Sequence, residues 1–293
     1  MREVFYVFKG VETTHATFAL EVARRVRALP ACQGEVVALS AGNGADFIIN
    51  LFALWKTGAV PFLVSTRVPW SMAAGLMEAA NARLLITDRP ESARTSQCRA
   101  PLEVISAACE RGARGKMSEQ IAPEVPAIAG ERGASDIAVI LHTSGSTGAP
   151  NLVPFSRDSL LASLSFEEAA WAGRWTRHDA TLGWLPLYHA FGLISELLFA
   201  YHMKSRYHFS EANPRAIVAH LEKAPITLFS SVPWMLEEIL GLAGGLPALA
   251  GLRWVVVGGA VTSQELAGKL TAAGVGLVQQ YGMTELGAVL RSS

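Results

Sequence analysis

Short apolar runs alternate with segments of helical periodicity along the first third of the chain. Runs of four to seven apolar residues predict buried strands, and apolar positions three and four residues apart predict helices. This alternation is typical of parallel strands joined by crossover helices, so we expect an α/β fold with doubly wound, mostly parallel sheets and flanking helices. The predicted elements are helix Thr14–Leu29, strand Gly34–Ser40, helix Asp46–Thr57 with Gly58 as its stop, strand Val60–Val64, helix Met72–Asn81 and strand Leu84–Thr87.

The rest of the chain repeats this pattern after an irregular connection from Arg89 to Ser135. Gly241–Gly251 is predicted to be a glycine-rich turn region. Thr262–Glu265 fits a capping box that opens a helix. The further predicted elements are strand Ile137–Leu141, helix Arg157–Trp171 with Ser156 as N-cap, strand Ile226–Phe229, helix Pro233–Leu242, strand Leu252–Ala260 and strand Val275–Val278.

The amino-acid composition favours a globular protein and disfavours several other classes of protein. With 293 residues, 51% hydrophobic and 17% charged, the chain can bury a large core. The formal net charge of zero disfavours nucleic-acid binding. No apolar run is long enough to span a membrane, and no signal peptide precedes the first strand. The three cysteines show no metal or redox spacing, so we expect a reducing, cytoplasmic environment.

The loop after strand Ile137–Leu141 is the strongest candidate for chemistry. Its glycines allow close approach of the backbone to a ligand, and its hydroxyls add donors that can surround phosphate oxygens. An ordinary flexible loop is the alternative, and the Gly-Lys-Ser/Thr of a Walker loop is missing. The candidate phosphate-binding residues are Thr143, Ser144, Gly145, Ser146, Thr147 and Gly148.

Three later segments follow this loop in order: Gly183–Leu193, Leu252–Ala260 and Gln279–Glu285. With the loop, they resemble the signature motifs of the adenylate-forming superfamily, which comprises acyl-CoA synthetases, peptide-synthetase adenylation domains and luciferases. Leu54–Pro61 is similar to a further motif of that family. The resemblance covers nearly the whole chain and implies an AMP-binding N-terminal domain, with approximate subdomains 35–170 and 1–34 plus 175–293.

The resemblance implies a site for ATP and Mg²⁺. By the resemblance, the loop holds the β- and γ-phosphates, Thr284 contacts the α-phosphate and Glu285 holds Mg²⁺. Tyr281 and Gly282 lie against one face of the adenine ring. The opposite wall is formed by Gly258, Gly259 and Ala260. Taken singly, Glu285 could be a solvated loop acid and Tyr281 a core residue.

The same resemblance places the acid substrate beside His189, which is a catalytic candidate or, alternatively, a structural histidine. The neighbouring side chains are apolar, which favours a fatty or aryl acid. Amino-acid-activating relatives carry an aspartate near this position, and Leu187–Gly192 has none, so an amino acid is disfavoured. The other expected pocket residues are Phe191, Phe229, Trp234 and Met283.

The chain departs from the family pattern at two places. Asn151 stands where the family has a lysine, which removes a charge-assisted contact. The chain also ends eight residues after Glu285, so the family's C-terminal lid domain is expected to be absent and the chain weakly active or inactive alone. Coenzyme A or the phosphopantetheine of a carrier protein are the expected acyl acceptors.

Two other hypotheses stay open at this stage. A degenerate, non-catalytic member of the family would bind only a ligand or a partner, such as a carrier protein or the missing C-terminal domain. An unrelated Rossmann oxidoreductase is disfavoured, because no Gly-x-Gly-x-x-Gly opens a βαβ unit.

Overall fold

The chain forms two compact units in the computed structural model, which describes residues 3–90, 102–109, 126–129, 136–143 and 151–292. The first unit comprises Met1–Thr13 and Ala162–Ser293, and the second comprises Thr14–Leu161. Each contains one sheet with strands that are mostly parallel, which confirms the predicted fold class.

An eight-stranded sheet organises the first unit, in the order β14-β13-β12-β11-β9-β10-β1-β2. Strand β1 pairs parallel with β10, and the neighbours from β10 across to β13 are parallel as well, whereas β13 and β14 pair antiparallel. Its strands are β1 (Val4–Phe8), β2 (Val11–Thr14), β9 (Ala180–Gly183), β10 (Arg206–Phe209), β11 (Leu228–Ser231), β12 (Trp254–Val257), β13 (Gly276–Met283) and β14 (Gly287–Ser292).

A six-stranded sheet organises the second unit, in the order β6-β5-β3-β4-β7-β8. Among the described residues of this sheet, only the edge pair β7–β8 is antiparallel. Its strands are β3 (Val36–Ser40), β4 (Val60–Leu63), β5 (Leu84–Thr87), β6 (Glu103–Ser106), β7 (Ile137–His142) and β8 (Leu152–Ser156).

Helices cover both sheets. A π-helix, Phe191–Leu198, continues directly into the short helix α5. The α-helices are α1 (His15–Ala28), α2 (Ala45–Thr57), α3 (Trp70–Ala79), α4 (Arg157–Trp171), α5 (Phe199–His202), α6 (Pro214–Lys223), α7 (Pro233–Leu240), α8 (Gly245–Ala250) and α9 (Gln264–Ala272).

Apolar side chains from β9, β11 and β12 form a hydrophobic core in the first unit. Leu182, Phe229 and Val255 lie in this core and are completely buried. Helices α6 to α9 supply the opposing side chains, including Ile239 and Leu270. The strands are thereby covered on this face, and burial of such residues stabilises the fold by roughly 1.5–3 kcal/mol per large side chain.

Helix α1 belongs to the second compact unit, which begins at Thr14. It packs on α2, where the rings of Phe18 and Phe52 meet edge to face at 5.1 Å. Trp55 of α2 then donates to the carbonyl of Ala138 on β7 at 2.7 Å. These contacts connect α1 through α2 to the six-stranded sheet.

Local signals in the sequence explain several helix ends. Gly58 ends α2 with φ of 74°, the left-handed conformation that glycine adopts without strain. The Ser156 hydroxyl accepts from the backbone N–H of Ser159 at 3.0 Å, which confirms the N-cap of α4.

Two local predictions need correction. The turn region Gly241–Gly251 contains helix α8, whose Leu249 is completely buried in the core. The cap of α9 is Ser263, whose hydroxyl accepts from Leu266 N–H at 3.1 Å, rather than Thr262. Strand β8 precedes α4 directly, and it tolerates Pro154 because it is an edge strand.

Candidate active site

The carboxyl ends of β9, β11, β12 and β13 meet at one edge of the eight-stranded sheet, since these neighbours are parallel. Ligands of open α/β sheets bind at this edge. A cavity of about 210 Å³ lies here. It is lined by His189, Ala190, Phe191, Ser195, Gly258, Gly259, Gln280, Gly282, Met283, Thr284, Gly287 and Ala288.

Two glycines after β12 form one wall of the cavity. A Cβ on Gly258 would lie 2.9 Å from Cε1 of Phe191 and 3.2 Å from the carbonyl oxygen of Gln280. Gly259 has φ of 78°, which side chains rarely adopt. The wall therefore requires glycine at both positions. At Gly258 a Cβ has no space, and at Gly259 the backbone has a positive φ angle that favours glycine.

Strand β13 and the turn that follows it carry the Gln279–Glu285 segment. Gly282 pairs with Ala288 across the β13–β14 ladder, and a Cβ on Gly282 would lie 2.5 Å from the Gly287 carbonyl oxygen. The N–H of Leu286 closes the turn by donating to the Met283 carbonyl at 3.2 Å. Thr284 on this turn is half-buried and lines the cavity, whereas Glu285 is exposed to solvent.

The segment between β9 and the π-helix carries His189. Its backbone N–H donates to the Pro186 carbonyl at 3.1 Å, and its ring lies against Tyr188 with centroids 4.7 Å apart. Gly192 passes close to the Pro186 carbonyl oxygen, 2.7 Å from where a Cβ would stand. This tight turn holds His189 at the cavity while its side chain is exposed.

Buried polar side chains from three elements meet at the cavity. The amide nitrogen of Gln280 on β13 donates to Ser195 Oγ of the π-helix at 2.9 Å. The same nitrogen donates to Glu167 Oε1 of α4 at 3.3 Å. All three residues are at least nine-tenths buried, so their hydrogen bonds are made in a poorly solvated region.

A second polar group lies next to Ser195 on the π-helix. Glu196 is completely buried and accepts a hydrogen bond from the Tyr207 hydroxyl at 3.3 Å. Burial raises the pKa of the Glu196 carboxyl well above its ordinary value, although hydrogen bonds with Tyr207 and Ser230 offset part of this rise.

The base of the candidate phosphate loop lies in the second unit, at the open end of the β7–β8 pair. Thr143 and Asn151 face each other there: Thr143 N–H donates to the Asn151 carbonyl at 3.0 Å, and Asn151 N–H donates to Thr143 Oγ1 at 3.3 Å. Ser144, Gly145, Ser146, Thr147 and Gly148 lie outside the described residues.

The structure brings together most of the site residues that the sequence predicts in the first unit. Those that line the cavity are His189, Phe191, Gly258, Gly259, Gly282, Met283 and Thr284. Three other predicted site residues are exposed and do not line the cavity, although each is close in sequence to a residue that does: Ala260, Tyr281 and Glu285.

Two residues predicted for the acid pocket do not line the cavity. Phe229 is completely buried in the hydrophobic core that the strands form with helices α6 to α9. Trp234 is 56% exposed and packs edge to face on Trp184, with ring centroids 6.0 Å apart. Neither belongs to the cavity lining.

Sequence reasoning missed Ser195 and Gln280, which line the cavity. Gln280 lies within the Gln279–Glu285 segment, so the motif itself was a signal for it. Ser195 follows His189 by six positions on a mostly apolar helix, and a single serine there gives little signal.

Neither a metal cluster nor a membrane helix is found in the part of the chain that the structure describes. It holds no group of three or more His, Cys, Asp or Glu side chains that could bind a metal ion. A single exposed carboxylate such as that of Glu285 still fits Mg²⁺, because this ion binds through one or two carboxylates plus substrate phosphates and water. No helix among these residues is long and apolar enough to cross a membrane.

Comparison with known families gives a match over almost the full length. The family described as AMP-binding enzyme matches residues 2–293. An adenylate-forming reductase of Stachybotrys bisbyi, stbB, is 27% identical over 268 residues, covering 86% of this chain and 24% of that protein. A feruloyl-CoA synthase of Amycolatopsis sp. is 27% identical over 291 residues, covering 94% of this chain and 55% of that protein. The chain thus spans about half or less of the length of these curated relatives.

Solved structures share the fold. ATP-bound MatB of Rhodopseudomonas palustris superposes with a TM-score of 0.80 at 20% identity, covering 99% of this chain and 58% of that one. The N-terminal subdomain of Klebsiella oxytoca NpsA, in complex with 3-hydroxybenzoyl-AMSN, gives 0.77 at 21% identity, with coverage of 99% and 71%.

Proposed function

This chain belongs to the AMP-binding enzymes, and from that membership we propose that it activates a carboxylic acid with ATP to an acyl-adenylate. One observation carries the proposal. The His189 segment, the glycine pair and the turn with Thr284 line a single cavity at the carboxyl ends of the parallel strands. A fatty or aryl acid fits the lining better than an amino acid, because the described lining residues include no carboxylate to pair with an ammonium group.

The proposed reaction is an in-line displacement. A carboxylate oxygen of the acid forms a bond to the α-phosphorus, and the bond from this phosphorus to the bridging oxygen of pyrophosphate breaks. The protein contributes by holding the two reactants in line and by offering donors to the phosphate oxygens. Thr284 contacts the α-phosphate in this proposal, and His189 borders the acid.

The adenine ring is assigned to the space beside the glycine wall. Gly258 and Gly259 leave room for a flat base, while the exposed Tyr281 offers an aromatic face. Thr143 and the loop that follows it are assigned to the β- and γ-phosphates. Glu285 would hold Mg²⁺, which supplies charge neutralisation at the phosphates when it is bound.

The relatives' printed names support a proposal for the acyl acceptor. These names include CoA ligases and a non-ribosomal peptide synthetase. We propose coenzyme A or the phosphopantetheine of a carrier protein as the acceptor.

Exchange of radiolabelled pyrophosphate into ATP tests the adenylation step against a panel of fatty, aryl and amino acids. We expect exchange with one acid class. Glu285→Gln should lower the exchange rate by at least tenfold, because a neutral amide is a much poorer Mg²⁺ ligand than a carboxylate. The matched control is Glu238→Gln, another exposed glutamate, which should leave the rate unchanged. Equal rates in both variants would contradict the assignment of Glu285.

Asn151 favours one alternative, a family member that binds ligand without turnover. The residue forms backbone bonds with Thr143 at the base of the loop and brings no positive charge to it. Asn151→Lys supplies the charge that the family pattern has. Adenylate binding without exchange, in both the native chain and this variant, would support the non-catalytic alternative.

A further inference from the structure

A buried histidine stands directly before the candidate phosphate loop. His142 is the last residue of β7 and is only 4% exposed, and Thr143 follows it at the base of the loop. Its ring packs edge to face on Phe62 of the neighbouring strand β4, with ring centroids 6.3 Å apart. A polar ring in such a position needs hydrogen-bond partners, because a buried polar atom without one is costly.

His142 has one of its partners in the segment that follows β4. The backbone N–H of Ser65 donates to His142 Nε2 at 3.2 Å. Nε2 is the acceptor in this bond, so the neutral ring carries its proton on Nδ1. Burial lowers the pKa of His142, although a hydrogen bond with the backbone of Thr143 offsets part of this fall. A lowered pKa favours the neutral ring, which is the form that can accept at Nε2.

The Ser65 segment is itself held at the carboxyl edge of the six-stranded sheet. Ser65 Oγ accepts from the backbone N–H of Arg67 at 3.1 Å, which closes a local turn. Arg89, which follows β5, donates from its guanidinium to the Thr66 carbonyl at 2.8 Å. The ring of His142 therefore connects the start of the candidate phosphate loop to a segment that has hydrogen bonds of its own.

On its other side, the base of the loop is connected to β8. His142 pairs with Leu152 in the β7–β8 ladder, and beyond this pair Thr143 and Asn151 are joined by two hydrogen bonds. The position of Thr143 thus depends on β8 and on the Ser65 segment. The second connection runs through the His142 ring, which can be replaced without removing any backbone hydrogen bond of the ladder.

We propose that His142 is a positioning residue for phosphate binding: by accepting from Ser65 N–H, it fixes Thr143 where this residue meets the β- and γ-phosphates of ATP. The inference rests on the proposed adenylation and deepens it, because donors stabilise phosphate charge most when they are held in place before the ligand binds. His142 acts through Thr143. Loss of its acceptor atom therefore weakens ligands that carry the β- and γ-phosphates and spares ligands without them.

A matched pair of variants tests this. The amide oxygen of His142→Gln reaches about as far as Nε2 and can accept from Ser65 N–H, whereas the side chain of His142→Met has a similar length and only a weak acceptor. Calorimetry gives Kd for ATP with Mg²⁺ and for 5′-O-sulfamoyladenosine, which has no β- or γ-phosphate. We expect His142→Met to bind ATP about tenfold more weakly, the effect of about one hydrogen bond. It should bind 5′-O-sulfamoyladenosine as the native chain does.

Two further comparisons separate positioning from stability. His142→Gln should keep the affinity for ATP within about threefold of the native value, because it retains an acceptor. His15→Met removes another buried histidine, at the start of α1 in the same compact unit, and should keep the native ratio of the two Kd values. His142→Phe, which retains a ring against Phe62, replaces the methionine variant if that variant does not fold.

The outcomes also distinguish this inference from the proposed function. An unchanged ratio of the two Kd values in His142→Met, including an equal loss of both ligands, would overturn the inference and leave adenylation standing. A fall in ATP affinity that is as large in His142→Gln as in His142→Met would overturn it as well, because the acceptor would then not matter. Absence of ATP binding and of pyrophosphate exchange in the native chain would overturn both the inference and the proposed function.

Discussion

At the scale of single residues, the shape of the cavity depends on two glycines, which have no side chain. Gly258 is buried between Phe191 and the backbone of β13, and Gly259 next to it adopts a left-handed backbone. The first glycine leaves space and the second allows the chain to turn away from the strand. A larger residue at either position would therefore disturb the wall itself.

Gly258→Ala should weaken binding of 5′-O-sulfamoyladenosine by at least tenfold. The added methyl group would stand 2.9 Å from Phe191 and 3.2 Å from the Gln280 carbonyl, so the wall must shift toward the ligand. Gly268→Ala is the control, since a Cβ there meets nothing within 4 Å on exposed helix α9. It should keep the affinity and stabilise the fold by roughly 0.5–1 kcal/mol. Equal Kd values for both variants, measured by calorimetry, would show that Gly258 is not part of the wall.

The sequence predicted those site residues that belong to ordered motifs, and it missed those that depend on distant contacts. Gly258, Gly282 and Thr284 stand in short recognisable segments, and all three line the cavity. Ser195 gains its place only through Gln280, which lies 85 positions away in the chain. Phe229 was expected in the acid pocket from the family resemblance, and the structure shows it completely buried in the core and outside the cavity lining.

At the scale of elements, strands with a continuous apolar run were easier to predict than strands defined by their pairing. Leu84–Thr87 was predicted with its observed bounds because all four residues are buried. The sequence of β14 has no continuous apolar run of this length. This strand is defined by its antiparallel pairing with β13 at the sheet edge. The π-helix was also missed, since its apolar residues do not reveal whether hydrogen bonds run to the fourth or the fifth residue.

A histidine pair between β10 and α6 makes the first unit sensitive to acid. His208 Nδ1 lies 3.2 Å from His220 Nε2, and His208 is only 6% exposed. Burial, with the charges of His220 and Arg206, lowers the pKa of His208 to about 4. The unfolded chain, in which a histidine titrates near its ordinary value, binds this proton first as the pH falls. Stability is therefore lost between about pH 6.5 and pH 4.

His208→Phe should remove this loss. The native chain is expected to lose roughly 2–3 kcal/mol more unfolding free energy than the variant between pH 7 and pH 4.5. Urea unfolding followed by tryptophan fluorescence at both pH values gives the difference. Parallel pH profiles for the two proteins would show that His208 is not the acid-sensitive group.

At the scale of the whole molecule, the residues predicted to bind the nucleotide are divided between the two compact units. The cavity, with the glycine wall and Thr284, belongs to the first unit. Thr143 and Asn151, at the base of the candidate phosphate loop, belong to the second. The residues assigned to adenosine and those assigned to the terminal phosphates therefore belong to different units. Each assignment can be tested by itself with two ligands that differ in their phosphates.

Amide hydrogen exchange measured by mass spectrometry shows which segments each ligand protects, and so tests the two assignments. At a hundred times its Kd, 5′-O-sulfamoyladenosine stabilises the bound state by about 2.7 kcal/mol. It should slow exchange in segments 255–260 and 279–284 and leave 137–156 unchanged, because it has no β- or γ-phosphate. ATP with Mg²⁺ should slow exchange in all three segments. If ATP and the mimic protect the same peptides, the loop after Thr143 does not hold the terminal phosphates, and the adenosine assignment remains because it depends on the first unit alone.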